Sequence, residues 1–112
     1  MLQQSDADDY VIGTGQTHSV AEFMDAAFEY AGLDKDTHLT TDQSLFRPTE
    51  VDVLVADPGK ARKKMGWKAH VGYDDLVRIM VDADMRAFGL EAIGEGDEIL
   101  ARRFPEKWWK GD

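Results

Sequence analysis

Val51-Asp52-Val53-Leu54-Val55-Ala56-Asp57-Pro58 packs three valines and a leucine into six residues before turning polar. Branched side chains lose rotamer freedom in a helix and fit a pleated surface, so residues 51–56 read as a strand. Asp57 then reads as an N-cap and Pro58 as the first helical residue, where its missing N–H costs nothing. Residues 60–65 follow as a short basic helix that Gly66 closes. A strand feeding a helix places the chain in the α/β class.

The segments on either side repeat this alternation. Tyr10-Val11-Ile12 is a second β-type run, ending in the turn signal Gly13-Thr14-Gly15. Ser19 and Glu22 then form a capping box, and Val20, Phe23, Met24, Ala27, Phe28 and Ala31 recur at helical spacing up to Gly32. Residues 34–44 are a polar loop, with residues 38–41 as a third strand candidate. Residues 73–88 predict a helix whose apolar face is Leu76, Ile79, Met80, Ala83 and Ala87, with Asp74, Asp75, Arg78 and Asp82 pointing elsewhere. After Gly89 comes an acidic tail with a helical turn at residues 99–103, ending in Trp108-Trp109. Two tryptophans there are expected to dock on this chain or a neighbour. The expectation is two or three short strands and three helices.

With 112 residues there is room for one domain, and 43% apolar content makes it globular rather than disordered. The absence of cysteine excludes a disulfide framework and a thiolate metal site. No signal peptide or spanning segment is visible, so no membrane partner is expected and the cytoplasm is the default location. A net charge of −9 repels phosphate backbones and argues against nucleic acid.

Among candidate chemistries, Gly13-Thr14-Gly15-Gln16-Thr17-His18 has the placement of a dinucleotide fingerprint, but His18 stands where the third glycine belongs. A plain strand-to-helix turn fits as well, and an independent cofactor-binding domain stays open only as a third reading. His18, His38 and His70 are too far apart for ligand spacing, so no metal site is expected. Tyr10, Tyr30 and Tyr73 are followed four residues on by Thr14, Asp34 and Val77, so the Tyr-x-x-x-Lys active-site pattern is absent and no catalytic residue is assigned. Lys60, Arg62, Lys63 and Lys64 read as a solvated face complementing the negative end of the helix dipole. Arg47, between Phe46 and Pro48 and three residues before Glu50, admits two readings. Its planar guanidinium suits a two-pronged hold on a diphosphate, with Glu50 accepting from a base N–H or sugar hydroxyl; a structural Arg47–Glu50 ion pair is the other.

Taken together, Phe46-Arg47-Pro48-Thr49-Glu50-Val51-Asp52, Asp57-Pro58-x-Lys60-Ala61 and Met65-Gly66-Trp67 resemble the C-terminal half of the GDP-mannose 4,6-dehydratases, a family of extended short-chain dehydrogenases. Asp8 to Phe23 upstream, and Leu76-Val77 and Met80-Val81-x-Ala83-Asp84 downstream, are similar to the same family in unbroken order. The resemblance implies an α/β fold: a small C-terminal sugar-nucleotide-binding subdomain over residues 1–88, without a complete Rossmann sheet, followed by an acidic and aromatic tail over 89–112. It implies NADP-dependent lyase chemistry that converts GDP-mannose to GDP-4-keto-6-deoxymannose, on the way to fucose and rhamnose sugars. In the family an N-terminal Rossmann domain holds NADP and the catalytic groups. This chain is therefore expected to bind no cofactor alone, to bind a GDP-sugar weakly, and not to turn it over. Arg47 is implied on the diphosphate and Glu50 near the nucleotide. The departures are Gly13 for the usual alanine, Gln16 for the usual glutamate, and Gln43-Ser44-Leu45 where proline, arginine and an aromatic are usual. An alternative expectation is a non-catalytic interaction module, a remnant that self-associates as a homo-oligomer or pairs with a separate Rossmann-domain chain.

Overall fold

The computed structural model describes residues 1–106, so the Trp108-Trp109 expectation lies outside the described residues. These residues form two compact units, one from residues 1–19 and 40–70, the other from residues 20–39 and 71–106. The elements are α1 (Val20–Ala31), α2 (Lys35–His38), a 3-10 turn (Gln43–Leu45), α3 (Gly59–Met65), α4 (Tyr73–Ala87) and α5 (Glu95–Arg103). None of the helices is long and apolar enough to cross a membrane.

The α/β expectation is overturned: among the described residues the chain is helical, without a strand. Residues 51–56 run as irregular backbone, and Val51, Val53, Leu54 and Val55 stand 72, 67, 81 and 50% exposed. A β-type segment becomes a strand only when a neighbour satisfies its N–H and C=O groups, and neither 10–12 nor 51–56 makes a ladder hydrogen bond. At residues 38–41 local side-chain bonds win instead. Asp34 accepts from the Asp36 N–H at 2.9 Å and starts α2, and Asp42 accepts from the Ser44 N–H at 2.9 Å and starts the 3-10 turn.

In the second unit α1 and α4 run in the same direction, since Phe23 meets Tyr73 edge-on at 6.4 Å and Tyr30 reaches Asp82 nine residues further along α4. Helix α1 half-buries Phe23, Met24, Ala27, Phe28 and Ala31 as expected, but leaves Val20, expected on the same face, exposed. It stops at Gly32, whose φ of +72° lets the Leu33 N–H bond back to the Phe28 carbonyl at 2.9 Å. Helix α4 departs from its expected orientation. Its buried residues are Val77 and Asp82, while Leu76 and Met80 are each 44% exposed. Helix α5 is the reason: it packs on α4 through buried Gly96 and Ile99, and a Cβ at Gly96 would overlap the Arg78 carbonyl of α4.

In the first unit α3 begins at Gly59, one residue later than expected, so Pro58 rather than Asp57 stands at its N-cap, while the Asp57 carboxylate accepts from the Gly59 N–H at 2.9 Å. Ala61 is wholly buried, and Gly66 ends the helix with the Trp67 N–H bonded to the Ala61 carbonyl at 3.3 Å.

Candidate functional site

The Arg47 loop is built outward from Asp42. Its carboxylate takes the Ser44 hydroxyl at 2.6 Å as well as the Ser44 amide, and these two bonds hold its pKa below the ordinary 3.8. The turn closes with the Phe46 N–H on the Gln43 carbonyl at 3.1 Å, and Pro48 stiffens the backbone just past Arg47. Arg47 Nε then lies 3.4 Å from Glu50 Oε1, with the two side chains 77 and 62% exposed. The structure thus brings together the two residues singled out from sequence, in a solvent-facing contact. Such an exposed pair is worth at most about 1 kcal/mol, so a ligand that recruits either group has little to displace.

The basic helix α3 is tied down differently. Lys60 and Lys64 reach Asp8 at 2.7 and 3.1 Å, and Lys60 also stands 5.3 Å from the centre of the Tyr10 ring. The Lys60 hydrogen bond, the Asp9 amide and Lys64 together hold the Asp8 carboxyl well below the usual carboxylate range. Two of the four cations expected on a solvated face are therefore paired. The Gly13-Thr14-Gly15 turn also has a packing role: a Cβ at Gly13 would sit 2.7 Å from the Ala56 Cβ, and one at Gly15 would touch Pro58. That close approach accounts for Gly13, and a φ of +81° accounts for Gly15.

Asp82, which the periodicity placed away from the core, is completely buried. It accepts from the Tyr30 hydroxyl at 3.0 Å, from the Gly96 N–H at 2.8 Å, and from the Gly94 and Asp97 N–H groups at 3.2 and 3.3 Å. One carboxylate from α4 so caps the start of α5 and holds α1 beside it. Burial first, and the bond to Asp82 second, push the Tyr30 phenol above its ordinary 10.0. Gly94-x-Gly96, a glycine pair next to an acidic turn, is the sequence signal that marks the close approach.

A cavity of about 410 Å³ in the second unit is lined by Glu29, Tyr30, Asp74, Val77, Arg78 and Glu95 among others. Arg78 is already engaged by Glu95 at 3.3 Å and Asp75 at 3.8 Å, so this cavity is acidic and unsuited to a diphosphate. Another, of about 350 Å³ in the first unit, is lined by Gln3, Gln4, Met65, Trp67, Lys68 and His70 among others. Neither contains Arg47 or Glu50. Of the other histidines, His38 stacks on Phe28 at 6.4 Å, and no group of three or more metal-ligating side chains occurs among the described residues.

Comparison with known proteins connects these features to a lineage. The family model described as GDP-mannose 4,6 dehydratase matches residues 1–80. GDP-mannose 4,6 dehydratase 1 of Arabidopsis thaliana is 49% identical over 85 residues, which cover 76% of this chain and 24% of that protein. The GDP-mannose 4,6 dehydratase of Homo sapiens is 41% identical over 102 residues, with 76% of this chain and 27% of that protein covered. That of Dictyostelium discoideum is 34% identical over 115 residues, covering 88% of this chain and 31% of its own length. The chain thus spans about a quarter to a third of the length of these relatives.

Proposed function

Because this chain belongs to the GDP-mannose 4,6-dehydratase family, we propose that residues 1–88 are its sugar-nucleotide-gripping portion, with Arg47 on the diphosphate and Glu50 beside the nucleotide. The observation that carries this reading is the Arg47 loop. It presents a guanidinium that is positioned by turn chemistry, mostly exposed, and paired with Glu50 in a solvent-facing contact. A guanidinium in that state can donate two parallel hydrogen bonds to phosphate oxygens at small cost. Glu50, once released, can accept from a base N–H or a sugar hydroxyl.

Under this reading the chain lacks turnover by itself. The Tyr-x-x-x-Lys pattern is absent from its sequence, and NADP together with the lyase chemistry belongs to the longer form of the family, in the cytoplasm. Conversion of GDP-mannose to GDP-4-keto-6-deoxymannose then requires the rest of a family protein, with this portion closing on the nucleotide. Titrating GDP into the pure chain by calorimetry tests the proposal. Arg47→Ala removes a charge-assisted contact worth about 1.5–3 kcal/mol, so affinity should fall by about tenfold or more. A variant that binds GDP as well as the parent overturns the assignment of Arg47. Keto-sugar formed by the pure chain from GDP-mannose and NADP overturns the non-catalytic part.

A further inference from the structure

Residues 58–73 hold five of the chain's 13 lysines and arginines and none of its 22 carboxylates, in a protein whose net charge is −9. Asp8 occupies Lys60 and Lys64. Just past the helix, Lys68 and His70 join Met65 and Trp67 in lining the cavity of about 350 Å³ in the first unit, and Met1, Gln3 and Gln4 complete it. Backbone bonds fix both parts of this lining. Gly66, at a φ of +66°, ends α3 and sets the Trp67 N–H on the carbonyl of wholly buried Ala61 at 3.3 Å. The Gln4 N–H closes a turn on the Met1 carbonyl at 3.1 Å.

None of the lining residues is acidic. By contrast, the cavity of about 410 Å³ in the second unit carries Glu29, Asp74 and Glu95, and an apolar groove of about 240 Å³ there carries Asp84. Those carboxylates repel an anion; here the nearest charged lining group is an ammonium. Arg62, Lys63 and Lys64 in the last turn of α3 offset the negative helix end at Gly66. The apolar part of the lining is an indole and two thioethers. Trp67 and Met65 are half-buried, so each keeps surface for a ligand. An indole face stacks on a flat ring, and a thioether sulfur favours the edge of one. The volume lies at the small end of ligand pockets, which suits one or two fused rings.

We propose that this cavity is a binding site for a small aromatic anion, with its flat ring against Trp67, Met1 and Met65 and its carboxylate or phosphate facing Lys68 and His70. The Gln3 and Gln4 amides, each both donor and acceptor, then read a polar ring substituent. The site does not rest on the sugar-nucleotide reading, since neither Arg47 nor Glu50 lines it.

Titrating 2-naphthoate, 2-naphthyl phosphate and neutral 2-naphthol into the full chain by NMR tests it, following the Trp67 indole N–H signal, which Trp67→Phe identifies by its loss. At least one anionic probe should shift that signal saturably, and bind about fivefold or more tighter than 2-naphthol. The tighter of the two anionic probes names the anion. By calorimetry, Trp67→Ala should weaken that probe about fivefold or more, while Trp67→Phe, which keeps a ring, retains most of the affinity. Lys68→Gln should lower the anionic probe to the level of 2-naphthol and leave 2-naphthol itself unchanged. Arg47→Ala should leave all three unchanged, whether or not it alters GDP binding. A Trp67 signal that no probe moves overturns the inference. So does equal binding of 2-naphthol, a Lys68→Gln protein that keeps its preference for anions, or binding that Arg47→Ala abolishes.

Discussion

Asp82→Ala is the substitution that the second unit should tolerate least. The side chain is completely buried and serves three elements: Tyr30 of α1, its own helix α4, and the Gly94, Gly96 and Asp97 amides that open α5. Removing it strands the Tyr30 hydroxyl and the Gly96 N–H, at about 1–3 kcal/mol for each buried group left unsatisfied. The stranded Gly96 amide is also the cap of α5 and counts once, so the combined loss is about 2–6 kcal/mol, against a total of about 5–15 kcal/mol for an ordinary domain. Denaturant unfolding followed by circular dichroism should therefore show a large drop in midpoint, and the Gly96 amide should lose its hydrogen-exchange protection. Tyr30→Phe alone should cost about 1 kcal/mol, because the carboxylate keeps its amide donors. Added to Asp82→Ala it should recover stability, since the orphaned hydroxyl is gone; that non-additivity identifies the contact itself. An Asp82→Ala protein within about 0.5 kcal/mol of the parent would refute this account of the packing.

Gly96→Ala should separate α5 from α4 and cost about 1–3 kcal/mol, because the new methyl meets the rigid Arg78 carbonyl; an amide at position 96 that keeps its full protection would contradict this. The Asp8 contact with Lys60 and Lys64 predicts a pH effect of defined sign. The folded carboxyl is held below its ordinary 3.8, so the contact contributes above that value and is lost as pH falls beneath it. Thermal midpoints of the parent and Asp8→Asn should differ near neutral pH and converge in acid; a gap that does not depend on pH would refute the pairing.

Some of this molecule is legible in its residues and some is not, for separable reasons. Helix α1 announces itself through Phe23, Met24, Ala27, Phe28 and Ala31, and its stop through Gly32, because helix periodicity and a glycine terminus are local signals. Helix α4 is equally legible as a helix, but not its buried face. Leu76 and Met80 look like core, yet what α5 brings to α4 is a set of unpaired backbone N–H groups, and those call for the carboxylate of Asp82 rather than a leucine. Helix α5 begins four residues before the helical turn expected at Ile99, because Glu95-Gly96-Asp97-Glu98 is polar and contains a poor helix former. The valine-rich run misleads in the opposite sense. Its propensity for a strand is real, but propensity describes a fit to neighbours, and the Gly13–Gly15 turn beside Ala56 forms no ladder hydrogen bond with it. Arg47 and Glu50 stand out through motif order, which pattern reading captures; their exposure follows from loop geometry, which it does not.

The most direct measurement of the central claim is a side-chain NMR titration of the Arg47 Nε–H signal with GDP-mannose. The account predicts a saturable shift of that signal, while the Gly96 amide, tied to Asp82 in the other unit, stays in place. An Arg47 signal that does not move while GDP-mannose demonstrably binds the chain would contradict it.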